Sequence, residues 1–367
     1  MRATTTASPA TGSDLLEAAR GGDEDAFRRL VGPHRSSLHT HCYRMLGSLH
    51  DAEDALQDAL LRAWRGLPGF DGRSSVGTWL HRIATNACLD AIRRRPTRVL
   101  PIDYAPPTEA GRGEPRAPVR EPIWIEPVPD RELGFEDAHA RPEARYEQRE
   151  AVELAFIAAL QHLPARQRAV LILRDVLGFS AKEVALLLET TVASANSALH
   201  RARRAFDERL PERSQQATLR SLGDARVREL VERFVQAFER ADVGAILALL
   251  AEDATFAMPP YPGWCQGRDE IADSWLMPGG PPPRLRYVPT RANAQLALAV
   301  YLRDARAGVY LPICLDVLAV EDEKISEVIA FRSLDAFSRF GLPHELPLDV
   351  DAAPVGGNLL GIGQPVT

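Results

Sequence analysis

The chain has 367 residues, 45% of them hydrophobic, 7% aromatic and 26% charged, with a formal net charge of −6. That length suggests two or three domains of about 100–200 residues, and the balance of apolar to charged residues excludes a wholly disordered chain. No apolar run approaches the ~20 residues of a membrane span, and the N-terminus MRATTTASPATGSD lacks the apolar core of a secretion signal. The expectation is a cytoplasmic protein with no membrane contact.

Residues 1–12 are small and polar and are expected to be disordered. From 13 to 96 the pattern is helical. Asp51 reads as an N-cap, after which Ala52, Ala55, Leu56, Ala59, Leu60, Ala63 and Trp64 recur at helical spacing until Gly66, Pro68 and Gly69 end the run. A second helix is predicted over 76–95, with Leu80, Ala84, Ala87 and Ala91 on one stripe and Pro96 closing it. Residues 97–145 change character: ten of the 28 prolines fall between 96 and 145, and 96–150 carries 12 acidic against 8 basic residues. Such a segment reads as a linker without a packed core, and its apolar island Trp124-Ile125-Glu126-Pro127 as a docking point.

Helices resume over 146–213. Val152, Phe156, Ala159 and Leu163 form one stripe, Pro164 opens a second helix, and Ser180 with Glu183 is a capping box for a short third. A longer helix follows, carrying Ala195, Leu199, Ala202 and Phe206 inward. After a spacer at 214–223, a third unit covers 224–342. It opens with a helix bearing Val227, Leu230, Val231, Phe234 and Phe238, followed by strands near 255–258, 285–290, 296–302, 309–320 and 325–331, and a short helix over 334–340. Residues 343–367 look like a loose tail.

The charge is unevenly spread. Residues 1–95 carry 13 basic against 11 acidic side chains and 151–215 carry 9 against 7, whereas 216–367 carry 14 against 20. Two slightly basic blocks therefore flank an acidic spacer. The last two helices of the 146–213 block form a helix-turn-helix whose outer face shows Ser194, Ser197, His200, Arg201 and Arg204. Short polar side chains near a helix N-terminus suit base edges, and arginines a turn or two later suit phosphates; an ordinary solvated helix would look the same. In the first block Glu53, Asp54, Gln57 and Asp58 share one helix side, usually a solvated face but also fit to dock a basic partner helix. Arg82, Asn86 and Arg93 lie near one another after the loop Phe70–Ser75, and with the aromatics Phe70 and Trp79 they suit a single nucleic-acid strand. His39 and His41 lie about 200° apart on a helix and cannot chelate one ion together, so no metal site is expected. Cys42, Cys88, Cys265 and Cys314 show no C-x-x-C pair; a Cys265–Cys314 bridge is the one disulfide weighed.

The stretches Asp51–Trp64 and Thr78–Arg93 together resemble region 2 of a group IV (extracytoplasmic-function) sigma-70 factor. Leu163-Pro-Ala-Arg-Gln-Arg-Ala-Val-Leu-Ile-Leu-Arg174, with the helix-turn-helix after it, resembles region 4. Two such blocks in this order are highly specific. The third unit resembles a SnoaL-like domain of the nuclear-transport-factor-2-like cone fold, on Ala254–Gly267 and the closing Phe331–Pro343 stretch. The implied fold is multidomain: two all-α sigma domains, a region 2 bundle and a region 4 helix-turn-helix, plus an α+β cone-shaped domain.

The resemblance implies a factor that binds core RNA polymerase and directs it to −10 and −35 promoter elements, with no cofactor and no chemistry of its own. Asp54, Gln57, Asp58 and Leu61 would bind the polymerase β′ clamp helices, and region 4 the β flap. Phe70, Arg73, Ser74, Trp79, Arg82, Asn86 and Arg93 would recognise and melt the −10 element. Ser194, Asn196, Ser197, His200, Arg201, Arg203 and Arg204 would serve the −35 element. The acidic linker would run near the RNA exit path. The sequence departs from its relatives at Asn196-Ser197-Ala198, where many carry Lys-Ser-Arg, and at Glu189, where a glycine is common.

In the third unit Asp253, Tyr261, Trp264 and Asp316 are candidate polar groups of a small-molecule pocket, and the domain would tune the sigma domains. No histidine lies between Asp224 and Pro343, so any general base there would be a carboxylate. The rival readings are a cone-fold isomerase or hydrolase with a helical regulatory extension, and a DNA-binding repressor or activator that works without polymerase.

Overall fold

The structure, a computed structural model, describes residues 12–108, 117–119, 121, 123–133, 147–275 and 284–348. The expected disordered N-terminus and most of the expected loose tail lie outside these residues. The chain divides into two compact units, Met1–Arg95 with Pro164–Arg203, and Pro96–Leu163 with Arg204–Thr367.

The first unit opens with α1 (Gly12–Arg20), α2 (Glu24–Val31), α3 (Arg35–Leu46), α4 (Leu49–Gly66) and α5 (Val76–Ile92). Each start has a visible cause. Asp23 Oδ1 accepts the N–H groups of Asp25 and Ala26 at 2.9 and 3.0 Å, and Ser75 caps α5 through the Thr78 N–H. The expected cap at Asp51 is corrected: Ser48 Oγ accepts the Asp51 N–H at 3.2 Å, so α4 begins at Leu49. Asp51 then sits in the first turn, free to pair with Arg95. α3, α4 and α5 close around Leu38, Cys42, Met45, Leu56, Leu80 and Cys88, all buried.

After α6 (Pro101–Tyr104) and α7 (Leu154–Gln161), which belong to the second unit, the chain returns as α8 (Ala165–Leu171), a π-helical turn (Ile172–Val176), α9 (Ala181–Leu187) and α10 (Val192–Asp207). The capping box is present, with Ser180 N–H donating to Glu183 Oε2 at 2.7 Å and Glu183 N–H to Ser180 Oγ at 3.3 Å. Arg168 on α8 is buried and donates to the Met45 carbonyl at the end of α3, and burial lowers its guanidinium to about 10. The Phe179 ring meets the edge of His81 on α5 at 5.5 Å. The returning helices are thus packed on the first helical block.

The second unit holds α11 (Gln215–Leu222), α12 (Asp224–Glu239), α13 (Val243–Leu249), α14 (Arg268–Trp275), α15 (Leu334–Phe340) and seven strands. These are β1 (Leu250–Ala257), β2 (Trp264–Gln266), β3 (Leu285–Ala292), β4 (Gln295–Asp304), β5 (Val309–Glu321), β6 (Lys324–Phe331) and β7 (Leu346–Pro347). The sheet order is β2-β1-β6-β5-β4-β3, antiparallel except for β1 with β6, and β7 pairs with β5. α12 and α13 bury Phe234, Phe238, Ile246 and Leu249 in one core with Leu298, Val300, Leu318 and Val328 of the strands. This is the expected α+β domain. The spacer at 214–223 is largely helix, and the start of the expected tail is tied down by β7. All four cysteines are free, so no Cys265–Cys314 bridge forms.

The described residues of the proline-rich segment are not the unpacked linker that its composition suggests. Val99 and Trp124 pair as a parallel bridge, Ile123, Ile125 and Val128 are buried, and Tyr104 meets the Trp124 ring at 5.2 Å. Its docking point is the two-residue β3–β4 turn, Asn293-Ala294, with φ of 54° and 59°. Asn293 accepts from Val128 N–H at Oδ1 (2.9 Å), donates its own N–H to the Val128 carbonyl (2.9 Å), and donates from Nδ2 to the Val152 carbonyl (2.8 Å). Asp130 accepts the Ala294 N–H at 2.7 Å and pairs with Arg291 at 2.9 Å. Further along, Arg131 lies so close to Gly341 that a Cβ there would stand 2.7 Å from Nη1. Composition missed this because apolar contacts spread over few residues suffice when a partner surface supplies the rest of the core.

Candidate nucleic-acid and partner interfaces

Among the residues singled out on α4, Asp54, Gln57 and Leu61 are exposed and lie on one stripe at i, i+3 and i+7, with Asp58 half-buried beside them. Leu61 is 49% exposed, an apolar side chain standing beside acids on the solvent face of the helix. The acids are already engaged within the unit: Arg95 bridges Asp51 and Asp54, and Arg62 pairs with Asp58 at 2.6 Å and Asp90 at 2.9 Å. The Asp54 and Asp58 pairs are solvent-exposed and contribute little to stability, whereas Asp51 is buried.

The proposed −10 residues divide into two groups. Phe70 and Trp79 are buried, with ring centroids 5.0 Å apart, and Arg20 donates to the Phe70 carbonyl. They pack the base of the loop and offer no free face to a base, which corrects the expectation of direct stacking. Arg73 is exposed and paired with Asp71; Ser74, Arg82 and Asn86 are half-buried; Arg93 is exposed and pairs with Asp90 at 3.1 Å. Arg82 and Asn86 share one stripe of α5, and Arg93 is its C-cap residue. His41 is wholly buried, its Nε2 2.9 Å from Thr85 Oγ1, and burial together with the His81 and Arg44 charges holds its pKa well below 6.5. Among the described residues no group of three His, Cys, Asp or Glu side chains could hold a metal ion.

On α10 the phase is as expected. Ala195, Leu199, Ala202 and Phe206 are buried, while Ser194, Asn196, Ser197, His200, Arg201, Arg203 and Arg204 are exposed. Thr191 Oγ1 accepts the Ser194 N–H at 3.1 Å and so caps the helix. Arg203 grips Asp175 through two bonds of 2.8 and 2.7 Å, an exposed clip between α10 and the π turn. Glu189 takes φ of +51° in the preceding turn, which explains why a glycine suits that position.

The four candidate pocket residues do not converge. Asp253 is exposed on β1, Trp264 donates Nε1–H to the Ala105 carbonyl at 2.6 Å, and Tyr261 lies under the Arg332 guanidinium. Trp264 and Asp316 are both buried; beside Asp316, Cys314 Sγ lies 3.3 Å from its Oδ1, and burial pushes the Asp316 carboxyl up to about 7.

A polar junction that no local pattern announces lies where α7 meets the sheet. Glu153, buried just before α7, accepts the Gln215 and Gln216 N–H groups at 3.0 and 2.7 Å, and burial pushes it up to about 7. Gln295 Oε1 accepts the Leu154 N–H at 2.7 Å. Past the other end of α7, His162 Nε2 lies 3.0 Å from Asp103, and Asp103 adds to burial in pushing Glu327 up to about 7. α7 is therefore held at both ends.

Three family descriptions match along the chain: Sigma-70 region 2 over residues 30–97, Sigma-70 region 4 over 147–206, and SnoaL-like domain over 231–328. The chain is 42% identical over 329 residues to the ECF RNA polymerase sigma factor SigG of Mycobacterium tuberculosis, covering 89% of this chain and 86% of that protein. It is 30% identical over 199 residues to the ECF RNA polymerase sigma factor SigW of Bacillus subtilis, covering 53% of this chain and 94% of that one. Among solved structures, the M. tuberculosis extracytoplasmic function sigma factor SigJ superposes with a TM-score of 0.52 at 21% identity, covering 85% of this chain and 98% of SigJ, a likeness of fold. With both sigma regions, the appended domain and a relative alike over nearly its whole length, the chain belongs to the extracytoplasmic-function RNA polymerase sigma factors, as a member carrying a C-terminal SnoaL-like domain.

Proposed function

We propose that this chain joins core RNA polymerase through the Asp54–Leu61 face, presents Arg82, Asn86 and Arg93 to the −10 element and the exposed face of α10 to the −35 element, and works in the cytoplasm. The observation that carries the reading is the pairing of an acidic face centred on exposed Leu61 with a recognition helix whose buried and exposed stripes are cleanly separated. The compact first unit cannot serve both elements as it stands. By their names the elements lie about 25 base pairs apart, roughly 85 Å of duplex, whereas a unit of this size has a radius of gyration of about 14 Å. The Arg168–Met45 and Phe179–His81 contacts therefore belong to a resting state that opens on the polymerase.

The SnoaL-like domain is then a brake. The region 4 match begins at 147, yet α7, its first long helix, is held at both ends by the second unit. Run-off transcription with core polymerase tests the scheme. Asp54→Arg with Asp58→Arg should abolish core binding while leaving the fold intact, and retained binding would remove the docking assignment. Ser197→Ala with Arg201→Ala should lower promoter use far more than core binding. Asp316 supports a second reading, in which the domain interior takes an apolar small molecule bearing one polar group; turnover or binding that survives Asp316→Asn would count against it.

A further inference from the structure

We propose that Ala193 reads a base of the −35 element by packing against the C5-methyl group of a thymine; the proposal rests on α10 being the −35 helix. The buried stripe of α10 runs Ala195, Leu199, Ala202 and Phe206. The stripe displaced from it by two residues, Ala193, Ser197, His200 and Arg204, points directly away from the core, and all four are exposed. Along it the side chains lengthen from the N-terminus onward. At about 1.5 Å of rise per residue, Ser197 lies about 6 Å from Ala193, His200 about 10 Å and Arg204 about 16 Å.

A major groove about 12 Å wide and 8.5 Å deep admits the first turns of such a helix when it enters N-terminus first. Ala193 and Ser197 then stand over the base edges, and Arg204 stands over the phosphate rim. Two short side chains in succession let the backbone come close, where a longer one would hold it out. The Ala193 methyl offers no hydrogen bond, and the apolar feature a base pair presents in that groove is the thymine methyl. Just before Ala193, the Thr191 hydroxyl is committed to capping the helix, while Val192 and Ser194 are exposed beside it.

The test uses the full chain bound to core polymerase. This holoenzyme selects a preferred element from duplexes randomised at −35, and each thymine of that element is then replaced by deoxyuridine, which keeps the base pair and deletes the methyl. One position is expected at which uracil weakens binding about four-fold, the value of a single buried methyl group. Ala193→Gly should lose that discrimination and Ser197→Ala should keep it. Because the readout is a ratio of two duplexes within one variant, a less stable helix does not mask it. A wild-type holoenzyme indifferent to uracil at every position, or an Ala193→Gly variant that still discriminates, overturns the inference. If Ser197→Ala and Arg201→Ala weaken selected-element binding in that case, the −35 assignment stands and only the Ala193 contact falls. If neither has any effect, the assignment of α10 falls as well.

Discussion

Asn293→Gly isolates the dock between the proline-rich segment and the sheet. Glycine keeps the turn's φ of 54° without strain, so the change removes side-chain bonds alone. Two vanish: Val128 N–H to Oδ1 at 2.9 Å and Nδ2 to the Val152 carbonyl at 2.8 Å. Asn293 is 0% exposed, so the stranded backbone groups lose partners in a buried setting, at about 1–3 kcal/mol each. Glycine's extra chain entropy adds roughly 0.5–1 kcal/mol. The expected loss is about 2.5–7 kcal/mol, a large part of the roughly 5–15 kcal/mol that stabilises a domain. Hydrogen exchange on the full chain is the direct assay. The Val128 amide and the 123–133 segment should lose protection, the melting transition of the second unit should fall, and run-off transcription should rise if the domain is a brake. Asn293→Asp keeps the acceptor for Val128 and should fall between. Unchanged exchange at Val128 with unchanged melting would refute the claim that this turn holds the segment.

Glu189→Gly relieves a non-glycine residue at φ +51° and should raise stability by up to about 1 kcal/mol, a few degrees in melting temperature, with the gain reduced by glycine's looser unfolded chain. Glu327 should make the second unit less stable as pH rises. Its carboxyl, raised from 4.5 to about 7 by burial and by Asp103, with Thr255 as hydrogen-bond partner and His162 on the far side of Asp103, keeps its proton when folded while the unfolded chain loses it. Stability should therefore decline between about pH 4.5 and 7, and Glu327→Gln should flatten that slope in melting curves recorded across the range. Leu61→Asp should leave melting within about 0.5 kcal/mol of wild type, because the side chain is 49% exposed, and should weaken core binding at least ten-fold in a pull-down titration.

The elements that repeat at a helical period were legible in the chain itself. Ala195, Leu199, Ala202 and Phe206 fix the phase of α10, and the Ser180–Glu183 box fixes the start of α9, because both effects act within four residues. The same holds for the strands with long apolar runs. Three kinds of fact were decided only by tertiary contact. Phe70 and Trp79 look like stacking platforms in sequence, yet the two rings bury against each other, and Arg20, 50 residues before Phe70, holds the Phe70 carbonyl. Arg203 pairs with Asp175, 28 residues earlier, a partner that its own helix does not announce. In the proline-rich segment the Val128 N–H finds its acceptor in Asn293, 165 residues further on. A backbone without regular partners is stable only where distant groups satisfy its N–H and C=O. Such a pairing leaves no periodic trace in either stretch of sequence, so the docking of linker, α7 and sheet belongs to the tertiary structure alone.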